Sequence, residues 1–105
     1  MRLVILLLLA LAPVPPAPRP DAVGDCPFGR IEITGRRIVI VGPLWTAHGE
    51  IAQGWAHVTW TLGGRRARAS YWMAEGGFDG AWAWDDDGGE PIREERFPVT
   101  WAESP

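Results

Sequence analysis

The chain has 105 residues, with 13 acidic and 10 basic side chains and a formal net charge of −3 at pH 7. This length allows a single domain, and the mildly acidic balance argues against nucleic-acid binding, which needs a basic face. The single cysteine, Cys26, excludes an intrachain disulfide, and we interpret it as a small buried hydrophobe.

Residues 1–24 are typical of a cleavable signal peptide followed by a Pro-rich segment. Arg2 precedes an apolar run at 3–12, which is shorter than the roughly 20 residues of a transmembrane helix. Cleavage after Ala12 or after Gly24 both fit, and we place the mature domain at 25–105. The sequence therefore predicts a periplasmic or secreted protein with no membrane span in the mature chain.

The mature domain begins with a predicted β-hairpin. Alternating apolar residues predict strands at 28–33 and 36–41. A tight turn at Thr34–Gly35 would place Ile31 opposite Ile38. Because threonine rarely takes a positive φ, a bulged or longer turn is the alternative.

Two glycine pairs, Gly63–Gly64 and Gly76–Gly77, predict a three-stranded meander over 54–62, 66–74 and 80–85. Taking each pair as the two central turn residues fixes a register, and a slip of one residue would turn every side chain to the other face. The predicted pairs are Trp60–Ala67, Val58–Ala69, Ala56–Tyr71, Thr59–Arg68, His57–Ser70 and Trp55–Trp72, then Tyr71–Trp82, Ala69–Trp84, Arg68–Asp85 and Arg66–Asp87.

The remaining segments are a loop and one strand. Residues 44–53 have helical spacing but contain Gly49, and we interpret them as a crossing loop with one helical turn at most. A last strand runs from Arg93 or Glu95 to Trp101, with Pro98 indicating an edge or a bulge. The predicted fold is all-β, a small antiparallel meander of about six strands curled into a barrel or half-barrel.

Large aromatic side chains supply the predicted core. Trp60, Trp82, Trp84 and Trp101 face inward on this register, opposite small residues that leave room for the rings. Burial of each ring removes on the order of 200 Å² from water. Such packing stabilises a small domain that has no disulfide.

The candidate binding site is an outer-face patch of Trp55, Trp72, His57 and Arg68. Exposed aromatic rings beside polar groups suit stacking on sugar rings or anchoring a protein partner. The alternative, which we favour on general grounds, is that residues 44–53 fold over the two rings, because soluble monomers seldom expose large apolar patches.

Catalytic and metal-binding motifs are weak. His48, Glu50 and His57 lack the short spacing of zinc ligands, and the run at 85–90 lacks the alternating oxygens of a calcium loop. We interpret that run as a solvated acidic turn. No nucleophile, base and orienting group converge, so the sequence predicts neither an enzyme nor a cofactor.

Three functions stay open at this stage. The leading prediction is a secreted or periplasmic, non-catalytic binding module whose partner is a protein or an envelope polysaccharide. The second is a lipocalin-like carrier of a small apolar ligand, disfavoured because six strands packed with tryptophan would fill their own interior. The third is a structural subunit whose sheet edges are completed by a partner chain. The oligomeric state is not predicted.

Overall fold

The computed structural model describes residues 20–88 and 90–102, which form one antiparallel sheet of nine strands and a single short 3-10 turn. Most of the predicted signal peptide, residues 1–19, lies outside this part of the chain. No helix in the described ranges is long and apolar enough to cross a membrane. The strands are β1 (Ala22–Cys26), β2 (Gly29–Thr34), β3 (Arg37–Val41), β4 (Thr46–Ala52), β5 (Trp55–Leu62), β6 (Arg65–Ala74), β7 (Gly77–Trp84), β8 (Arg93–Pro98) and β9 (Thr100–Trp101), and the acidic turn is Asp85–Asp87.

The sheet curls into a nearly closed barrel. Strands β1 to β8 pair with their chain neighbours, and β9 pairs with β1 at the opposite edge from β8. Only Val99 separates β8 from β9, so one short stretch of chain contacts both edges. The Val99 N–H donates to the Gly76 carbonyl at 2.8 Å, and the Ala102 N–H donates to the Val23 carbonyl at 2.7 Å. The predicted all-β, barrel-like fold is confirmed.

The predicted number of about six strands is wrong. Strand β4 occupies the segment expected to be a crossing loop, β1 begins inside the segment assigned to the signal peptide, and a break at Val99 divides the last strand. Strand β4 was missed because the apolar residues of 44–53 have helical spacing. Gly49 lies within this strand, where an added Cβ would lie 1.9 Å from the His57 carbonyl oxygen, so this glycine allows close backbone approach.

The register of the first glycine pair is confirmed, and that of the second is shifted by two residues. All predicted β5–β6 pairs occur. In the β6–β7 hairpin the turn residues are Glu75 and Gly76, so Tyr71 faces Gly80 and Ala69 faces Trp82. Gly77 belongs to the strand, where an added Cβ would meet the carbonyl oxygen of Phe97 on β8. Because the shift is even, every side chain keeps its predicted face.

The β2–β3 hairpin shows the same correction. Its turn lies at Gly35–Arg36, with Gly35 at φ 59°, and Ile31 faces Ile40 instead of Ile38. Glycine takes the left-handed conformation that threonine avoids, which moves the turn by one residue. The inward face is again unchanged.

The inward faces of the strands form one apolar core. Trp60 is buried, and Trp82, Trp84 and Trp101 are half-buried against the core on its side of the sheet, as predicted. The core residues are Ile31, Ile33, Ile38, Ile40, Ala47, Ala56, Val58, Trp60, Ala67, Ala69, Tyr71, Phe78, Phe97 and Val99. One end of the barrel, here called the mouth, carries the Gly63–Gly64 turn, the acidic turn and residues 42–45.

Candidate functional sites

The outer aromatic patch begins with Trp55 and Trp72, which face each other on β5 and β6. Their ring centroids are 5.4 Å apart at an interplanar angle of 67°, and the two residues are 41% and 47% exposed. The expectation that residues 44–53 cover the rings is wrong. That segment forms β4, which lies beside β5 in the sheet and not over it.

His57 and Ser70 adjoin the tryptophans on the same outer face. The His57 Nδ1 lies 3.0 Å from the Ser70 hydroxyl, and Glu50 faces His57 from β4. Within residues 20–88 and 90–102, no hydrogen bond or ion pair joins His57 to a carboxylate. A catalytic serine needs a base held by a third group and donors for the developing oxyanion, and this flat, exposed row provides no such arrangement.

Arg68 lies further along β6, two residues beyond Ser70 and toward the mouth. Its Nε is 3.3 Å from the Asp85 carboxylate, so the predicted Arg68–Asp85 contact occurs although Ala83 is the register partner. The predicted Arg66–Asp87 pairing is wrong, since the Asp87 carboxylate lies 3.9 Å from Arg93. Arg68 is therefore separate from the two tryptophans.

Asp79 and Arg96 lie beside Trp72 on the outer face, where the sequence analysis did not predict them. Asp79 faces Trp72 across β6–β7, and Arg96 on β8 faces Asp79 with an Nη2–Oδ2 distance of 2.8 Å. The hydrogen bond to Asp79 raises the pKa of Arg96. The shifted register concealed this pair, because the predicted alignment placed Ala81 opposite Trp72.

The candidate metal ligands do not converge. Among the residues that the structure describes, no group of three or more histidine, cysteine, aspartate or glutamate side chains could hold a metal ion. The acidic turn instead faces arginines, with Asp86 3.4 Å from Arg65 in addition to the contacts of Asp85 and Asp87. Ion pairing in an exposed turn accounts for the acidic run.

A second candidate site, the inner cavity, lies inside the mouth of the barrel. It has a volume of about 70 Å³. Four aromatic rings and one carboxylate contribute to its wall, and Trp45 and Trp82 are only half-buried. The lining residues are Phe28, Trp45, Trp60, Ala67, Trp82 and Glu95.

Glu95 is held in the cavity wall by two hydrogen bonds in series. The Trp60 Nε1–H donates to the Tyr71 hydroxyl at 2.9 Å, and that hydroxyl donates to Glu95 Oε1 at 2.6 Å. Burial, followed by the bond to Glu95, raises the pKa of Tyr71 above its ordinary value of 10.0. The phenol therefore stays a neutral donor that fixes the position of the carboxylate.

The barrel allows this contact because Gly80 lies between the two residues. Tyr71, Gly80 and Glu95 occupy one inward row across β6, β7 and β8. Glycine has no side chain, so the phenol can reach across the middle strand. An added Cβ on Gly80 would lie 2.0 Å from the Ser70 carbonyl oxygen.

Two arginines stack on tryptophans at the mouth. The guanidinium carbon of Arg65 is 3.7 Å from the centre of the Trp84 ring, and that of Arg93 is 5.2 Å from the centre of the Trp82 ring. Both distances are within the range of cation–π attraction. Two guanidinium groups of the protein itself are thus stacked on tryptophan rings at the rim of the cavity.

Sequence reasoning missed the inner cavity, although one signal was present. Glu95 has the same strand parity as Phe97, so a last strand with Phe97 inward also directs Glu95 inward. An inward carboxylate breaks the apolar pattern of a core strand and indicates a functional position. The contact of Glu95 with Tyr71 could not be predicted, because it depends on the β6–β7 register, which the second glycine pair placed two residues away.

Comparison with protein-family models, with curated proteins and with solved structures finds no match to this chain.

Proposed function

We propose that this chain is an exported, non-catalytic binding module whose outer aromatic patch, Trp55 and Trp72 with the adjoining His57, recognises an envelope polysaccharide. The observation that supports it is the exposure of both indole rings on an open sheet face. Sugars bind through the apolar face of the ring stacked on an aromatic side chain and through hydroxyls bonded to nearby polar groups. Here Ser70 and the polar pair Asp79–Arg96 adjoin the rings.

A saccharide suits the size of the patch better than a protein partner does. A stable protein interface buries about 800 Å² on each side around an apolar centre. The other large exposed apolar residues of the described ranges are Val41, Leu44 and Ile92, which lie toward the mouth and not beside the two tryptophans. Among the described residues, Trp55 and Trp72 are the large exposed apolar side chains of this face that could anchor a ligand.

Both alternative functions keep some support. A subunit completed by a partner strand needs a free sheet edge, and the outer edge of β8 offers one, because only the two residues of β9 pair across to β1. A carrier gains support, because the strand count that argued against it was too low and a cavity is present. A purely apolar ligand fits poorly, since it would remove Glu95 from water without a new partner.

Export rests on the N-terminal pattern, a basic start followed by the apolar run at 3–12. Strand β1 begins at Ala22 and pairs Gly24 with Trp101 at the closing edge. Cleavage after Gly24 would remove three of the five β1 residues, whereas cleavage after Ala12 would leave β1 whole. The fold thus favours the earlier cleavage site for the exported protein.

The test of this function compares two double variants of the exported protein. The intact mass of the exported parent also identifies its N-terminus and therefore the cleavage site. Trp55→Ser with Trp72→Ser should reduce co-sedimentation with isolated cell-wall polysaccharide at least tenfold, equivalent to about 1.4 kcal/mol. The variant should still fold, with a modest fall in melting temperature, because each tryptophan is nearly half exposed and lies outside the core. The control, Leu44→Ser with Ile92→Ser, removes exposed apolar side chains elsewhere and should bind as the parent does. Equal binding by both double variants, or unfolding of the tryptophan variant, would contradict the proposal.

A further inference from the structure

We propose that the inner cavity is a second binding site, for a small alkylammonium cation, with Trp45, Trp60 and Trp82 around the cation and Glu95 as its counter-ion. This site lies inside the barrel and is independent of the outer aromatic patch. The proposal depends on the chemistry of the wall, the charge of Glu95 and the size of the cavity.

The wall presents the side chains that attract organic cations. The π face of an aromatic ring is negative, and tryptophan attracts cations most strongly. Phe28 lies 4.9 Å from Trp60 and 6.4 Å from Trp45 between ring centroids, and Trp45 lies 5.9 Å from Trp60. These rings meet at steep angles, so they surround a space on several sides instead of stacking into a solid layer.

The charge of Glu95 decides the sign of the ligand. Across residues 20–88 and 90–102, the Tyr71 hydroxyl is the one side-chain hydrogen-bond donor to this carboxylate. A carboxylate in an aromatic wall is costly unless it is paired, so a cation stabilises it, whereas an anion is repelled. Because Trp60 and Tyr71 hold the carboxylate in place, little ordering is needed when a ligand binds.

The volume restricts the ligand to a small group. A bound water needs roughly 10–15 Å³ on the same scale, and the cavity offers about 70 Å³. The space therefore accepts roughly five non-hydrogen atoms. Tetramethylammonium has that size, as does the trimethylammonium head of a larger molecule.

The charges at the mouth are largely balanced. Asp85, Asp86 and Asp87 are exposed there, and each forms an ion pair with an arginine side chain. The preference for a cation therefore comes from Glu95, inside the cavity.

Three probes of equal size test the proposal on the parent protein. Tetramethylammonium, tert-butanol and methanesulfonate each have five non-hydrogen atoms and carry positive, zero and negative charge. In titrations followed by NMR of the indole N–H groups at constant ionic strength, tetramethylammonium should give saturable shifts at Trp45, Trp60 and Trp82. Trp55 and Trp72 serve as internal controls and should not move. We expect tert-butanol to bind at least tenfold more weakly and methanesulfonate to show no saturation.

Variants then test the residue roles. Glu95→Gln keeps an acceptor for Tyr71 but removes the charge, and it should weaken tetramethylammonium binding at least tenfold. The matched control Glu94→Gln removes the same charge from the neighbouring, exposed residue of β8 and should bind as the parent does. Equal binding of tert-butanol, saturable binding of methanesulfonate, or no saturable shift with tetramethylammonium would overturn the proposal. These parent titrations decide the question even if Glu95→Gln does not fold.

Discussion

At the scale of single residues, Tyr71 connects the core of the barrel to the inner cavity. It is the only tyrosine in the chain and is almost fully buried. Its hydroxyl accepts a hydrogen bond from Trp60 and donates one to Glu95. Loss of this hydroxyl would leave the buried Trp60 N–H without an acceptor, which costs about 1–3 kcal/mol.

The raised pKa of Tyr71 predicts a loss of stability at alkaline pH. The unfolded chain ionises its tyrosine near pH 10, whereas the folded protein keeps the phenol protonated. Above pH 10 the unfolded state therefore binds fewer protons, and the free energy of unfolding falls as pH rises. Between pH 9 and pH 11 this contribution is about 1.4 kcal/mol.

Urea unfolding of the parent and of Tyr71→Phe at both pH values measures that contribution. The stability advantage of the parent over the variant should shrink by about 1.4 kcal/mol on going to pH 11. An advantage that does not change with pH would contradict the account, as would tyrosinate absorbance that titrates near pH 10 in the folded parent.

At the scale of strands and hairpins, the sequence predicted faces better than registers. The faces of Trp60, Trp82 and Trp84 follow from alternation alone, because period-two patterning survives a shift of two residues. The β6–β7 turn could not be placed, since Gly76 is needed for its positive φ and Gly77 for close approach of β8. The second requirement comes from a strand distant in sequence, which local patterning does not contain.

The same distinction explains which site was found. Trp55 and Trp72 face each other across the Gly63–Gly64 hairpin, which was placed correctly. The contact of Tyr71 with Glu95 crosses three strands and depends on tertiary structure. Sequence patterning therefore identified the outer aromatic patch and missed the inner cavity.

Gly80 provides an element-scale prediction. In Gly80→Ala the new Cβ would lie 2.0 Å from the Ser70 carbonyl oxygen, so β6 and β7 must move apart. We expect a cost of about 3 kcal/mol and a fall in melting temperature on the order of 15 °C. The control Gly64→Ala, where an added Cβ has no atom within 4 Å, should stay within about 0.5 kcal/mol of the parent. Equal melting temperatures for the two variants would show that the strands do not approach closely at Gly80.

At the scale of the whole molecule, the C-terminal stretch determines whether the sheet is a barrel. Pro98 lacks an N–H and sits where the chain leaves β8, and Thr100–Trp101 then pairs with β1. A residue larger than glycine would not fit at position 24, because an added Cβ would lie 2.8 Å from the Thr100 carbonyl oxygen. The approach to closure covers part of the β1 edge and curves the sheet around the inner cavity.

Cross-strand backbone NOEs of the folded protein test this architecture most directly. The account predicts contacts of Gly24 with Trp101, of Tyr71 with Gly80, and of Gly80 with Glu95. Together these contacts establish the closing edge and the row that carries the inner cavity. A spectrum that shows Tyr71 opposite Trp82, or no contact between Gly24 and Trp101, would contradict it.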